Sequence, residues 1–172
     1  MTARSVNHPL RAGLWLGLGS ASLLLGAMGF QYIGGLAPCV LCLWQRWPHL
    51  LALLVGLLSL KVNRAWVYLA GSASAATSAG IGIFHAGVEQ GYWSGLKSCA
   101  GNLDVTALST QDALEAILTS NIAKCDAVAW EMAGLSMASW NAFASLCLAL
   151  GWLWAAKLLW KASQAELRGS ID

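Results

Sequence analysis

"LAPCVLCLWQRWPHLLALLVGLLSLK", residues 36–61, decides how the rest of the chain is read. It sets Cys39 and Cys42 at the mouth of a long apolar run and places Arg46 inside that run. The uncharged part from Trp47 to Leu60 has only 14 residues, about 21 Å of helix, too short for a hydrocarbon core roughly 30 Å thick. A spanning helix must therefore begin upstream, with Arg46 in its first turns.

Three longer uncharged stretches flank this one: Ala12 to Gln45, Ala65 to Val88 and Gly134 to Ala156. Of the 172 residues, 58% are hydrophobic and 10% charged, against roughly 45–50% and 25% in a soluble domain. The expected fold is all-α, an integral membrane four-helix bundle forming one domain over residues 1–172, with a short periplasmic loop helix. The expected spans are about 14–33, 42–60, 66–86 and 138–157, and the loops about 34–41 and 87–137. Such helices satisfy their own backbone groups in lipid. The bilayer is the expected surrounding, and no nucleic-acid partner is expected. The first apolar run exceeds the roughly 7–15 residues of a signal-peptide core, so an uncleaved anchor is expected.

Basic residues retained on the cytoplasmic side set orientation. Arg4 and Arg11 precede the first span, Lys61 and Arg64 lie between the second and third, and Lys157, Lys161 and Arg168 follow the fourth. Both termini are thus expected in the cytoplasm. The long loop carries Glu89, Asp104, Asp112, Glu115, Asp126 and Glu131 against Lys97 and Lys124, a balance suited to the far side. Cys39, Cys42, Cys99 and Cys125 then share that outer face, where disulfides persist. Cys147, mid-span, reads as a small buried apolar residue.

Two other segments have structural readings. "GSASAATSAGIG", residues 71–82, offers small-residue faces at Gly71, Ala75 and Ala79 or at Ser72, Ala76 and Gly80, which let helices approach closely. "STQDALEAILTSNI", residues 109–122, spaces Leu114, Ile117, Leu118 and Ile122 as a short loop helix, lying on the membrane or packed on the bundle.

A C-x-x-C pair can be a redox dithiol, half a metal site or a structural bridge. Zinc usually wants a second close pair or suitably spaced histidines, whereas 25 residues separate Cys99 from Cys125. No histidine follows Cys42 as a haem attachment requires. No metal is expected. A helix starting just after Pro38 puts Cys39 at its cap and Cys42 in its first turn, where a thiolate is favoured, with Arg46 one turn on. An arginine there marks a functional site, although one snorkelling to headgroups is the plainer reading. Pro48 is expected early enough in the helix to remove a donor that is already unpaired. An apolar slot beside a thiolate and an arginine suits a lipid-soluble quinone. Gln31 and His85 are candidates to hydrogen-bond its ring oxygens, or His85 is simply a satisfied interface residue, with Glu89 one turn on to orient it.

"FQYIGGLAPCVLCLWQR", two loop cysteines before the fourth span, and "KCDAVAWEMAGLSMASWN" together resemble the disulfide bond formation protein B (DsbB) family of membrane quinone reductases. The resemblance covers most of the chain and implies a bacterial inner-membrane protein that reoxidises a periplasmic DsbA-like thiol oxidase. It implies that Cys99 is attacked by the reduced partner, that Cys125 is its disulfide partner and exchanges with Cys39, and that Cys42 passes electrons to ubiquinone or menaquinone. Arg46 and Gln31 match the quinone site, and His85 matches at a less fixed spacing. Because DsbA is a strong oxidant, near about −120 mV, its reoxidation needs an acceptor of higher potential such as a quinone. Two other architectures fit parts of the pattern. A vitamin K epoxide reductase-like enzyme carries its C-x-x-C late, at the fourth helix, and a structural four-span protein with stapled loops needs neither Arg46 nor a reactive Cys42.

Overall fold

The computed structural model describes residues 7–96, 111 and 124–169. Four helices dominate: α1 (Asn7–Tyr32), α2 (Val40–Ser59), α3 (Ala65–Glu89) and α4 (Met137–Gly169). Each is long and apolar enough to cross a membrane. They pack as a bundle in which α3 lies most extensively against α4, while α2 bridges α1 and α3. Apart from Gln111, which is helical, the expected loop helix at residues 109–122 lies outside the described residues.

The packing follows from where small side chains fall. In α3 the face that turns inward is Gly71, Ala75 and Ala79, with Ser78 and Gly82 beside it, whereas Ala76 and Gly80 face outward. Gly71 accommodates the fully buried indole of Trp152, and a Cβ there would stand 2.6 Å from the ring. Tyr68 meets the same indole edge-on, with ring centroids 5.6 Å apart. On α1 and α2, Gly17 and Gly56 cross so closely that a Cβ on Gly17 would lie 3.0 Å from the Gly56 Cα. These contacts close-pack one end of the bundle, where the buried hydroxyls of Ser59 and Ser72 donate to the Gly56 and Ala149 carbonyls.

Outward positions are mainly large and apolar: Leu51, Leu54, Leu57, Trp15, Trp66 and Trp154 are all exposed. So much exposed apolar surface is what a lipid-facing exterior requires and what a water-facing one avoids. Cys147 belongs to this surface, contrary to its expected burial. The inward positions of α4 run Ala138, Ala142, Ser145, Ala149 and Trp152, and residue 147 falls off that stripe.

A two-residue hairpin, absent from the sequence reading, precedes α4. Strands β1 (Glu131–Met132) and β2 (Leu135–Ser136) pair antiparallel around Ala133 and Gly134, both at positive φ, 55° and 77°. A tight turn of that kind favours glycine at its second position. The hairpin brings Ser136 to α3, where its hydroxyl donates to the Glu89 carboxylate. Just before it, Trp130 packs against Phe30 of α1, with centroids 4.9 Å apart.

Candidate active site

Pro38 cannot continue a helix backwards through an N–H of its own, and α2 starts two residues later with Cys39 as its N-cap. The Cys39 backbone is extended, and its sulfur accepts the Cys42 N–H at 3.2 Å, the job an N-cap side chain performs for an orphan donor. This fold-back sets the two sulfurs 2.7 Å apart, with Cys39 donating its hydrogen to Cys42 Sγ. That shared hydrogen, reinforced by burial, holds the Cys39 thiol far above the ordinary thiol range. Cys39 is buried and Cys42 half-buried, both without a disulfide. Pro48, expected in the early helix, instead sits in the interior of α2 and deprives the Trp44 carbonyl of its helical donor.

Arg46 does not reach out towards headgroups. Its Nη1 donates to Gln31 Oε1 at 2.6 Å and its Nη2 to the Ala27 carbonyl at 3.5 Å, both on α1. Its buried Nε has no hydrogen-bond partner among the described residues. Gln31 thus anchors the arginine. Beside this pair opens a cavity of about 580 Å³ whose wall includes Gln31, Cys42, Arg46, His49, Trp130 and Asn141. A volume of that order suits a ring-sized organic ligand. The lining is mostly apolar, and the Arg46 guanidinium that contributes to it fits an acceptor oxygen such as a quinone carbonyl.

His85, near the end of α3, is buried with Nε2 at 3.5 Å from Cys39 Sγ and 3.8 Å from Glu89 Oε1. Its ring also hydrogen-bonds the Cys125 backbone. Cys125 is fully buried, disulfide-bonded, and packed in one small cluster with Cys39, Leu41 and Val88. The long loop thereby places one of its cysteines against the cap of α2. Cys99 lies outside the described residues.

The sequence reading missed a buried polar cluster behind His85. Gln45 Nε2 lies 3.1 Å from His85 Nδ1, Asn141 Nδ2 lies 2.6 Å from Gln45 Oε1, and Asn141 Oδ1 lies 3.1 Å from His49 Nε2. Ser78 and Ser145 close around His49 Nε2 at 3.0 and 3.1 Å. The signal for half of it was present: Leu41, Gln45 and His49 are spaced i, i+4, i+8, one buried face of α2. Asn141 and the serines come from other helices, so only the folded bundle brings them together.

The molecule is thus a helical bundle, built for a membrane, with a C-x-x-C dithiol at a helix cap beside an apolar cavity and a loop cysteine packed against it. Comparison with known proteins agrees. The family model described as disulfide bond formation protein DsbB matches residues 10–155. Disulfide bond formation protein B of Verminephrobacter eiseniae is 35% identical over 150 residues, covering 83% of this chain and 81% of that protein. The same-named proteins of Stutzerimonas stutzeri and Pasteurella multocida are 29% and 32% identical, covering 80% and 73% of this chain and 88% and 74% of theirs. No solved structure matches the chain. The chain belongs to the DsbB family, an oxidoreductase family with a role in disulfide bond formation.

Proposed function

We propose that this protein reoxidises a periplasmic DsbA-like thiol oxidase and passes the electrons through two cysteine pairs to ubiquinone or menaquinone in the bacterial inner membrane. The observation that carries the reading is the placement of Cys42, paired with Cys39 at 2.7 Å and lining the same cavity as Arg46 and Gln31.

In this scheme the reduced partner's thiolate attacks Cys99 of a Cys99–Cys125 disulfide, and Cys125 leaves as a thiolate. Cys125 then attacks Cys39 of an oxidised Cys39–Cys42 pair, so the bond between those two breaks and Cys42 leaves with the negative charge. The partner's second thiolate displaces Cys99 from its mixed disulfide and releases the oxidised partner, and Cys99 displaces Cys39 from Cys125, which restores the Cys99–Cys125 bond and leaves Cys39 and Cys42 as the reduced pair. Cys42 is the sulfur with access to the cavity, where a bound quinone supplies a two-electron, two-proton acceptor. The Arg46 guanidinium would hold an oxygen of that group and offset negative charge in a site shielded from water. Gln31 keeps the guanidinium in place, and His85 is held between Cys39 and the Cys125 backbone at the exchange site. The basic termini and the 61–64 turn lie on the cytoplasmic side, the two cysteine pairs on the other.

The test is the product formed by Cys42→Ser with a reduced DsbA-like partner. The Cys99–Cys125 disulfide should be consumed once, leaving both cysteines as thiols while one partner dithiol becomes a disulfide, identified by mass spectrometry of unreduced peptides, with the quinone unchanged. Quinone consumption at the wild-type rate by this variant would overturn the relay.

A further inference from the structure

A relay that moves electrons as thiolates leaves protons behind. The partner's two thiols lose their hydrogens to the outer water before they attack, and Cys39 and Cys42 leave their exchange steps as thiolates as well. A quinone that accepts two electrons also gains two protons on its oxygens, so a balanced cycle brings two protons from that water to the cavity. Among the described residues that line the cavity, none carries a carboxyl group. Arg46 does not release a proton, and His49 Nε2 is enclosed by Asn141, Ser78 and Ser145.

A second, smaller space provides the connection. It holds about 40 Å³, and its wall includes Cys39, Cys42, His85, Glu89, Lys124 and Ala127. Cys42 and His85 line the large cavity too, so the two spaces adjoin there. Lys124 and Ala127 are exposed, so the small space reaches the surface. A volume of that order has room for a water molecule, and Glu89, His85 and Lys124 are polar partners of the kind a water needs.

Glu89 stands where a permanent negative charge is poorly supported. It is the last residue of α3, whose final turn carries no basic side chain, and the end of a helix favours a cation instead. Its side chain is only 5% exposed, and no lysine or arginine among the described residues pairs with it. Its two oxygens have separate partners. Oε2 accepts the Ser136 hydroxyl, which ties the hairpin to α3, and Oε1 faces His85 Nε2 at 3.8 Å. That gap exceeds a direct hydrogen bond, and a water in the small space can bridge it.

We propose that Glu89 is the proton carrier of the acceptor reaction, taking protons from the outer water at the small space and passing them across the boundary at His85 into the large cavity. Each transfer leaves a Glu89 carboxylate, which regains its hydrogen from the water side before the next. His85 and the Cys39 and Cys42 sulfurs face the small space from the bundle, and Lys124 faces it from the loop. This role deepens the proposed relay and rests on it.

Glu89→Gln separates the role from a structural one, because the amide oxygen still accepts from Ser136 while the side chain no longer releases and regains a proton. Full-length protein in detergent is mixed anaerobically with a reduced DsbA-like partner and a soluble quinone. Quinone loss should slow about tenfold in Glu89→Gln, less than the roughly 10²–10⁴ of an acid that touches the reacting group. Thiol exchange with the partner, read without quinone, should keep its rate. Glu89→Asp should retain most of the wild-type rate, and added formate, a carboxylic acid small enough for the small space, should restore Glu89→Gln. Quinone loss at the wild-type rate in Glu89→Gln overturns the inference, as does an equal slowing in Glu89→Asp that formate leaves unchanged. If Glu89→Gln does not fold, Ala127→Leu tests the route: a longer apolar side chain at the rim shuts out water and should slow quinone loss by a similar factor, and the wild-type rate there overturns the inference. Failure of the relay reads differently, since the wild type then consumes no quinone, whereas failure of the proton route leaves the wild type active.

Discussion

The two ends of this bundle solve opposite problems. At the end distant from the cysteines, Tyr68, Gly71 and Trp152 and the Gly17–Gly56 crossing make a close-packed core in which a single added methyl group has nowhere to go. At the cysteine end, the interior holds Gln45, His49, Ser78, His85, Asn141 and Ser145, linked pair by pair into one hydrogen-bonded chain, beside a cavity of about 580 Å³. Close packing fixes shape, whereas the polar end gives up packing to hold a dithiol, a cation and a space. Stability and activity should therefore respond to different substitutions.

The largest expected effect is at the cysteine end: Cys39→Ser or Cys42→Ser abolishes quinone reduction, measured as absorbance loss, while thermal unfolding in detergent changes little. Next, Arg46→Ala lowers quinone turnover on the order of a hundredfold, the usual cost of losing one positioned charge-stabilising donor. Thiol exchange at Cys99, followed with a reduced partner under single-turnover conditions, should fall far less, and equal losses would mean that Arg46 only supports the fold. At the opposite end the pattern inverts. Gly71→Ala places a Cβ 2.6 Å from the Trp152 ring, so it should destabilise by about 1–3 kcal/mol, with the remaining folded protein still active. Smallest of all, Cys147→Ser lies on the outward face of α4 and should shift stability by less than about 0.5 kcal/mol with activity retained.

The division between the two ends also explains what was legible in the sequence. Four uncharged runs suffice to announce four helices, because each helix satisfies its backbone locally and shows its hydrophobic length in one segment. The Cys39 cap was legible for the same reason, since Pro38 and the C-x-x-C spacing are local. Arg46 and Gln31 could be named from the sequence, but their bond could not, because it crosses from α2 to α1. Gln45 and His49 lie in an apolar run with no local motif to mark them, and Asn141 lies 92 residues from the histidine it contacts. Cys147 was misplaced because an apolar segment does not reveal which of its faces meets lipid. The hairpin at 131–136 is too short for strand periodicity to show.

The account turns on whether Cys42 delivers electrons to a quinone at the cavity. The most direct measurement is single-turnover absorbance of a soluble quinone mixed anaerobically with the protein and a reduced DsbA-like partner. The account predicts loss of one quinone for each partner dithiol oxidised, and no loss with Cys42→Ser. Partner oxidation with the quinone untouched, or equal quinone loss without Cys42, would contradict it.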